Sequence, residues 1–196
     1  MPAIPLSKSG TGSKKNFSEI TRPPESKPRD RRITDDELER MLFASGFNDT
    51  PPETMTATVG LVMLWAIETA MRAGEICAMI QNDVHEKHIH IPETKNGHAR
   101  DVPLSSKAKR LLKLATGKDT VFGINSSQLD SLFRKMKKRA LIEDLHFHDL
   151  RREALSRLAK VFGLMELAKI SGHRNLSILQ DVYYAPKIDD LADKLK

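Results

Sequence analysis

The feature that most constrains the fold of this chain is a largely apolar stretch from Ala57 to Met71. It contains the only tryptophan, Trp65, and a single charged residue, Glu68. A helix that is apolar on all its sides has to be surrounded by other elements, so the pattern predicts a buried helix. With 196 residues, the chain is long enough to build one main domain around it.

Other elements are predicted on both sides of this helix. Before it, Thr34 with Glu37 three residues later forms a capping box, which predicts a helix start. After it, short alternating runs at 88–91 and 100–104 flank Asn96-Gly97, a strong β-hairpin signal. Helical patterns then return at 105–115, 126–140, 149–162, 164–171, 176–184 and 188–195. The expected architecture is mainly α with one small antiparallel β-sheet.

The charge of the chain is unevenly distributed. Residues 1–32 hold five of the ten prolines and eight Lys/Arg against three Asp/Glu, which predicts a flexible basic arm before a domain at 33–196. In that domain, residues 34–83 are acidic, whereas 87–118 and the run 134–139 are basic. This segregation favours a one-sided surface for a polyanion, although solvated helix faces explain either basic run alone equally well.

Several classes of protein are disfavoured by the sequence. No run approaches the ~20 apolar residues of a membrane span, and the N-terminus lacks the apolar core of a secretion signal. The single cysteine, Cys77, cannot form an internal disulfide and is expected to be a small buried residue in a reducing compartment. His85, His88 and His90 could suggest a metal site, but no remaining ligand set accompanies them, so polar surface is the expectation.

Seven side chains suited to phosphate chemistry occur in order along the chain: Arg72, Lys95, His148, Arg151, His173, Tyr183 and Tyr184. Each has an ordinary explanation by itself, such as a pairing of Arg72 with Glu75. His148 and Arg151 are three residues apart, which places them on one helix face. Tyr183 and Tyr184 are the only tyrosines of the chain.

Taken together, these motifs resemble the tyrosine recombinase (phage integrase) family, over roughly residues 30–196. That family has an arginine in a T-G-x-R-x-x-E-like box, a lysine in a β-hairpin, H-x-x-R, G-H and then a tyrosine. The resemblance implies the DNA breaking-rejoining catalytic fold, with a three-stranded sheet. It also implies a site-specific recombinase of the bacterial cytoplasm and nucleoid that needs no cofactor or metal.

The resemblance also implies a role for each side chain in breaking a phosphodiester. Arg72 and Arg151 would hold the two non-bridging oxygens, on which negative charge builds. His148 would accept the proton of the tyrosine, whose hydroxyl has an ordinary pKa of ~10. Lys95 would protonate the leaving 5′-oxygen, and His173 would hydrogen-bond the phosphate. The product would be a 3′-phosphotyrosyl link.

Supporting residues and partners follow from the same resemblance. Glu75 would support an arginine. Candidate DNA-binding residues are Lys135, Lys137, Lys138, Arg139, Arg100 and Arg174. The expected partner is double-stranded DNA at a specific recombination site, together with an accessory DNA-bending protein. The chain is expected to form a tetramer on DNA, with a monomer as one DNA-free state. The apolar face of 188–195 would pack either on a neighbouring protomer or on its own domain.

Three departures from the family pattern stand out. Ala70 occupies a position where glycine is common, and Arg152-Glu153 follows the H-x-x-R arginine where H-T is common. The family tyrosine usually stands nine residues after the G-H histidine, which here is Val182. Adjacent helix residues point about 100° apart, so only one tyrosine can face the phosphate; Tyr183 needs the smaller displacement and is preferred over Tyr184.

Two other functions fit the same motifs. One is a non-catalytic DNA-binding regulator that keeps the scaffold, and the other is relaxation of supercoiled DNA like that of type IB topoisomerases. Family members usually carry a separate helical DNA-clamping domain before the catalytic one. The chain is therefore expected to be either an isolated catalytic domain or one of the small family members.

Overall fold

The computed structural model describes residues 31–92 and 98–183, without the side chains of Ile178 and residues 181–183. Lys95, Tyr184 and the predicted helix at 188–195 lie outside the described residues. The same is true of the predicted basic arm, apart from Arg31 and Arg32. For Tyr183, the backbone is described and the side chain is not.

The described part of the chain is mainly helical, as predicted. Its helices are α1 (Asp35–Ser45), α2 (Met55–Thr69), α3 (Ala73–Ala78), α4 (Ser106–Lys113), α5 (Ser126–Arg139), α6 (Phe147–Leu158), α7 (Leu164–Ser171) and α8 (Leu176–Tyr183). The strands β1 (His88–Ile91) and β2 (Arg100–Pro103) pair antiparallel, with Ile89 opposite Val102. The predicted hairpin is therefore confirmed.

Helix α2 forms the centre of the fold. It contacts α1, α3, α4, α5 and α6, and Trp65 in its middle is fully buried. The Trp65 ring packs edge-on against Phe122, with ring centroids 5.4 Å apart. Because α2 is apolar on nearly all sides, burying it removes a long apolar surface from water. The prediction of a buried helix is confirmed.

The predicted start of α1 is also confirmed. The Thr34 hydroxyl accepts a hydrogen bond from the Glu37 backbone N–H at 3.2 Å, and the Glu37 carboxylate accepts one from the Thr34 N–H at 3.1 Å. Two backbone donors that the helix itself cannot satisfy are thereby paired. The helix ends at Gly46, which has a positive φ of 71°.

The expectation of three strands is wrong for the described residues, where the sheet has two. A 3₁₀ turn at Gln81–Asp83 precedes β1, and Asp83 closes it by accepting a hydrogen bond from the Ile80 N–H. The chain then reverses so tightly that Val84 forms only an isolated bridge with Ile89. This segment is too short to add a ladder of hydrogen bonds, so no third strand forms there.

A small second core joins the end of α2 to α6, α7 and α8. Its buried members are Ala70, Ala154, Leu155, Leu167, Ala168 and Leu179. Through this core, α6 and α7 are placed against the segment that carries Arg72. In residues 31–92 and 98–183, no helix is both long and apolar enough to cross a membrane.

Candidate active site

Three successive carbonyl oxygens at the C-terminus of α7 each accept a hydrogen bond from a different arginine. The pairs are Arg100 Nε with Ile170 (3.0 Å), Arg151 Nη2 with Ser171 (2.6 Å) and Arg72 Nη2 with Gly172 (3.4 Å). The last carbonyls of a helix lack donors within the helix and form the negative end of its dipole. This helix end therefore gathers three guanidinium groups from α6, β2 and the start of α3.

Arg72 is the most accessible of the three. It immediately precedes α3, and its side chain is 41% exposed. Its backbone N–H donates to Glu75 Oε2 at 2.7 Å, and its Nη1 donates to Glu75 Oε1 at 2.9 Å. The base of the side chain is thus fixed, while part of the guanidinium still reaches solvent.

Arg151 is almost completely buried, with 2% exposure. Besides its bond to Ser171, it donates from Nη1 to the carbonyl oxygen of Ala70. Ala70 ends α2 in the left-handed region, with φ 53°, a conformation that costs an ordinary residue about 1–2 kcal/mol. The common glycine at this family position is explained by that backbone conformation.

Glu75 joins two of the arginines. Each of its carboxylate oxygens accepts a hydrogen bond from Arg100, at 2.8 and 2.7 Å, in addition to those from Arg72. Burial would raise the pKa of Glu75, but the hydrogen bonds from Arg100 and Arg72 outweigh it and lower this pKa to about 2. Glu75 is therefore ionised at any working pH.

The two histidines of the site favour the neutral form. Burial and the charges of Arg151 and Arg72 lower the pKa of His173 to about 4. Partial desolvation and the charges of Arg151 and Arg152 lower the pKa of His148 below its ordinary 6.5, against the opposing charge of Asp149. A neutral imidazole can accept a proton, and His148 is exposed, so a reacting group can reach it.

The structure thus brings Arg72, Arg151 and His173 together at the C-terminus of α7, and His148 lies three residues before Arg151 in α6. Lys95 and Tyr184 lie outside the described residues. Arg100, predicted from sequence as a DNA-binding residue, is only 7% exposed and lies among the arginines of the site. The remaining DNA-binding candidates are at the surface, with Lys137 partly buried and the others exposed: Lys135, Lys138, Arg139 and Arg174.

Two features of the site were missed by sequence reasoning. Ser171 is fully buried, and its hydroxyl oxygen lies 2.7 Å from His173 Nδ1. Arg152 has two buried guanidinium nitrogens with no hydrogen-bond partner among the residues that the structure describes. The only signal for Ser171 was a polar residue directly before Gly-His at the end of a predicted helix.

The histidines of the hairpin form a surface cluster. The rings of His85 and His88 stack with centroids 4.5 Å apart, and His90 Nδ1 lies 2.9 Å from Asp101 Oδ1. Among the described residues, no group of three or more His, Cys, Asp or Glu side chains could hold a metal ion. Cys77 is buried, as predicted.

The fold is that of tyrosine recombinase catalytic domains. The catalytic domain of bacteriophage HP1 integrase has a TM-score of 0.66 at 20% identity, over 84% of this chain and 94% of that chain. A lambda integrase dimer bound to a COC′ core site has a TM-score of 0.67 at 21% identity, over 84% and 51% of the two chains.

The phage integrase family matches residues 31–188 of this sequence, and the chain belongs to that family. A putative integrase/recombinase of Haemophilus influenzae is 46% identical over 90% of this chain and 50% of its own length. A second one from the same organism is 43% identical over 98% of this chain and 65% of its own length. A shufflon-specific DNA recombinase of Escherichia coli is 40% identical over 82% of this chain and 42% of its own length. This chain therefore spans about half to two thirds of the Haemophilus relatives.

Proposed function

We propose that this chain cleaves and rejoins DNA strands at a specific recombination site, by transesterification through a 3′-phosphotyrosyl intermediate. The observation that carries the proposal is the set of arginines anchored on the C-terminus of α7 beside two histidines with lowered pKa. Such a site suits a phosphodiester, because it supplies positive charge and a proton acceptor at the same place. The recombinases among its relatives support the same chemistry.

The two motif arginines would act differently on the phosphate. The Arg72 side chain is 41% exposed, and its N–H groups that are not donated to Glu75 or Gly172 would bind a non-bridging oxygen directly. Arg151 is held by the carbonyls of Ala70 and Ser171 in the protein interior, where a charge is screened less than in water. Its positive charge would therefore stabilise the extra negative charge that develops in the transition state.

The nucleophile would be Tyr183, with Tyr184 as the alternative. Helix α8 includes position 183, one turn after Leu179, which packs in the second core with Ala70. Tyr183 is preferred because it stands one residue closer than Tyr184 to the usual family position, nine residues after His173. His148 would take the tyrosine proton as the bond to phosphorus forms.

The leaving 5′-oxygen would take a proton from Lys95, which lies five residues before Arg100 at the start of β2. When the free 5′-hydroxyl of a second strand attacks the phosphotyrosine, the same two residues, His148 and Lys95, would exchange their roles as proton donor and proton acceptor. The 5′-hydroxyl then loses its proton, and the tyrosine oxygen leaves and is reprotonated. Bond energy is conserved in the covalent link, so religation needs no nucleotide.

His173 would donate a hydrogen bond to the phosphate through Nε2. That requires Nδ1 to be the acceptor, which fits donation from the Ser171 hydroxyl at 2.7 Å. The alternative acceptor of that hydroxyl, the Ala168 carbonyl, lies 3.4 Å away and forms the weaker bond. Ser171 would therefore select the tautomer of His173 that can bind the substrate.

DNA would be bound through exposed basic side chains, namely those of Lys135, Lys137, Lys138, Arg139 and Arg174. The first four lie on α5 and have no ion-pair partner within the described part of the chain. A dimer and a tetramer of lambda integrase on DNA are among the similar structures, which supports self-association on DNA here. A basic arm at 1–32, a catalytic domain at 33–196, a bacterial nucleoid location and an accessory bending protein stay predictions.

Covalent trapping tests the proposed function. A library of nicked suicide duplexes with a randomised core is incubated with the wild type, Tyr183→Phe and Tyr184→Phe, and adducts that resist detergent are recovered. We expect the wild type to trap an enriched core sequence, and one of the two variants to lose the adduct. Relaxation of a supercoiled plasmid lacking that sequence would indicate topoisomerase-like activity. Binding without any adduct would indicate a regulator.

A further inference from the structure

We propose that Arg100 is a positioning residue, which fixes Glu75 and through it Arg72, and that it does not contact DNA. The inference rests on the proposed function, because the group being positioned is the phosphate-binding arginine. The basic pattern of residues 87–118 suggests that Arg100 binds DNA. Its contacts instead define a role in holding Glu75.

All three nitrogens of the Arg100 guanidinium group are engaged inside the protein. Nη1 and Nη2 donate to the two oxygens of Glu75 at 2.8 and 2.7 Å, and Nε donates to the Ile170 carbonyl at 3.0 Å. With 7% of its side chain exposed, Arg100 would have to break a buried bidentate ion pair to reach a DNA phosphate. Loss of one partner from such a pair leaves an uncompensated charge and is strongly unfavourable.

These interactions join three elements of the site. Arg100 begins β2, Glu75 lies in α3, and Ile170 lies in the last turn of α7. Glu75 uses the same two oxygens to hold the backbone and the guanidinium of Arg72. Arg100 therefore sets where the Glu75 carboxylate sits, and Glu75 sets where Arg72 emerges into the site.

The shape of the pocket around Arg100 supports this assignment. A Cβ atom at Gly172 would lie 3.0 Å from Arg100 Cδ and 3.1 Å from its Nε. The glycine before His173 thus leaves room for the flat guanidinium to pass against the end of α7. Lysine cannot replace this arrangement, because an ammonium lacks the planar fork that engages both carboxylate oxygens.

The first test measures binding and needs no cleavage. Affinity for a nonspecific DNA duplex is measured against salt concentration for Arg72→Gln, in which the direct phosphate ligand is already absent, and for the same protein with Arg100→Gln added. A control adds Arg157→Gln instead, which removes a partly exposed arginine that is paired with Glu153. We expect the same slope of log affinity against log salt for Arg72→Gln with and without Arg100→Gln. A slope smaller by about 0.9, the value for one DNA phosphate that the protein no longer neutralises, would overturn the inference.

The second test measures positioning with proteins shown to be folded by circular dichroism. Single-turnover cleavage of saturating suicide DNA should fall about 10-fold to 100-fold in Arg100→Lys, because small displacements of a binding group are costly. In a double-mutant cycle, Arg100→Lys should add little to the loss already caused by Glu75→Gln. If the fold-losses in cleavage rate of the two single variants multiply in the double variant, Arg100 does not act through Glu75.

A structural readout keeps the inference testable if the wild type forms no adduct. The Nε–H resonance of Arg72 in an NMR spectrum of the DNA-free protein should shift in Arg100→Lys and stay in place in Arg157→Gln. An unmoved Arg72 resonance would refute the positioning role. Failure of wild-type cleavage, with a shifted resonance and an unchanged salt slope, would instead refute the proposed function alone.

Discussion

Among single residues, Gly172 ends α7 with φ 70° and lies close to Arg100. An alanine there would adopt a left-handed conformation at a cost of about 1–2 kcal/mol, and its methyl group would press on Arg100. We expect Gly172→Ala to lower the free energy of unfolding by at least this amount in urea denaturation. Gly74→Ala is the matched control, since its Cβ would meet no atom within 4 Å. Equal stability of Gly172→Ala and the wild type would contradict this view of the helix end.

His173 makes stability depend on pH in a defined window. The unfolded histidine binds a proton near its ordinary pKa of 6.5, whereas in the folded protein its pKa is about 4. Between these values the unfolded state holds more protons, so the free energy of unfolding should fall as the pH falls. In urea denaturation, the free energy of unfolding should fall less between pH 7 and pH 5 for His173→Gln than for the wild type. A wild-type-like loss of stability in His173→Gln would exclude this histidine as its source.

At the scale of elements, the end of α2 is under strain at Ala70. Its left-handed backbone favours glycine, but its buried methyl group packs in the second core, and burying a methyl group contributes about 0.8 kcal/mol. We expect Ala70→Gly to change the free energy of unfolding by less than about 1 kcal/mol, because the two effects oppose each other. Ala70→Val should cost about 2 kcal/mol or more, since branched residues avoid this conformation. Similar stabilities of the two variants would contradict the assigned strain.

Local signals were sufficient to predict most elements. The Thr34 capping box, the apolar stretch of α2 and the Asn-Gly hairpin each depend on nearby residues, and sequence reasoning could identify them. Helix α3 was not predicted. Its six residues are too few to show a helical period, and its Glu75 is held by Arg100, which is 25 residues away in the sequence. The third strand was expected from the family resemblance, and the tight reversal after the 3₁₀ turn prevented it.

In the site too, features encoded by nearby residues could be predicted, and features that depend on distant contacts could not. The order of motifs indicated Arg72, His148, Arg151 and His173, because each belongs to a short local pattern, and the structure brings the first, third and fourth of them together at the C-terminus of α7. The placement of Arg100 depends on β2, α3 and α7 packing together, which no local pattern encodes. Sequence reasoning therefore assigned it to the basic surface, whereas the structure shows it buried on Glu75.

At the scale of the whole molecule, the net charge of +6 is less informative than the position of the exposed cations. Lys138 and Arg139 are exposed in the last turn of α5. Replacing both with glutamine should reduce the salt slope of DNA binding by about 0.9 for each DNA phosphate that the variant no longer neutralises. The control replaces Arg40 and Arg157, which are paired with Asp36 and Glu153. If the control reduces the slope as much as the α5 variant does, the DNA-binding role of α5 is refuted.

The central claim is that a tyrosine of this chain attacks DNA within the arginine and histidine site. The most direct measurement is mass spectrometry of the adduct trapped on suicide DNA, after digestion of both the DNA and the protein. We predict a nucleotide linked through its 3′-phosphate to Tyr183, and no adduct from Arg151→Gln that is folded and still binds DNA. A nucleotide on Tyr184 would move the nucleophile by one residue, whereas an adduct on any residue other than these tyrosines would contradict the account.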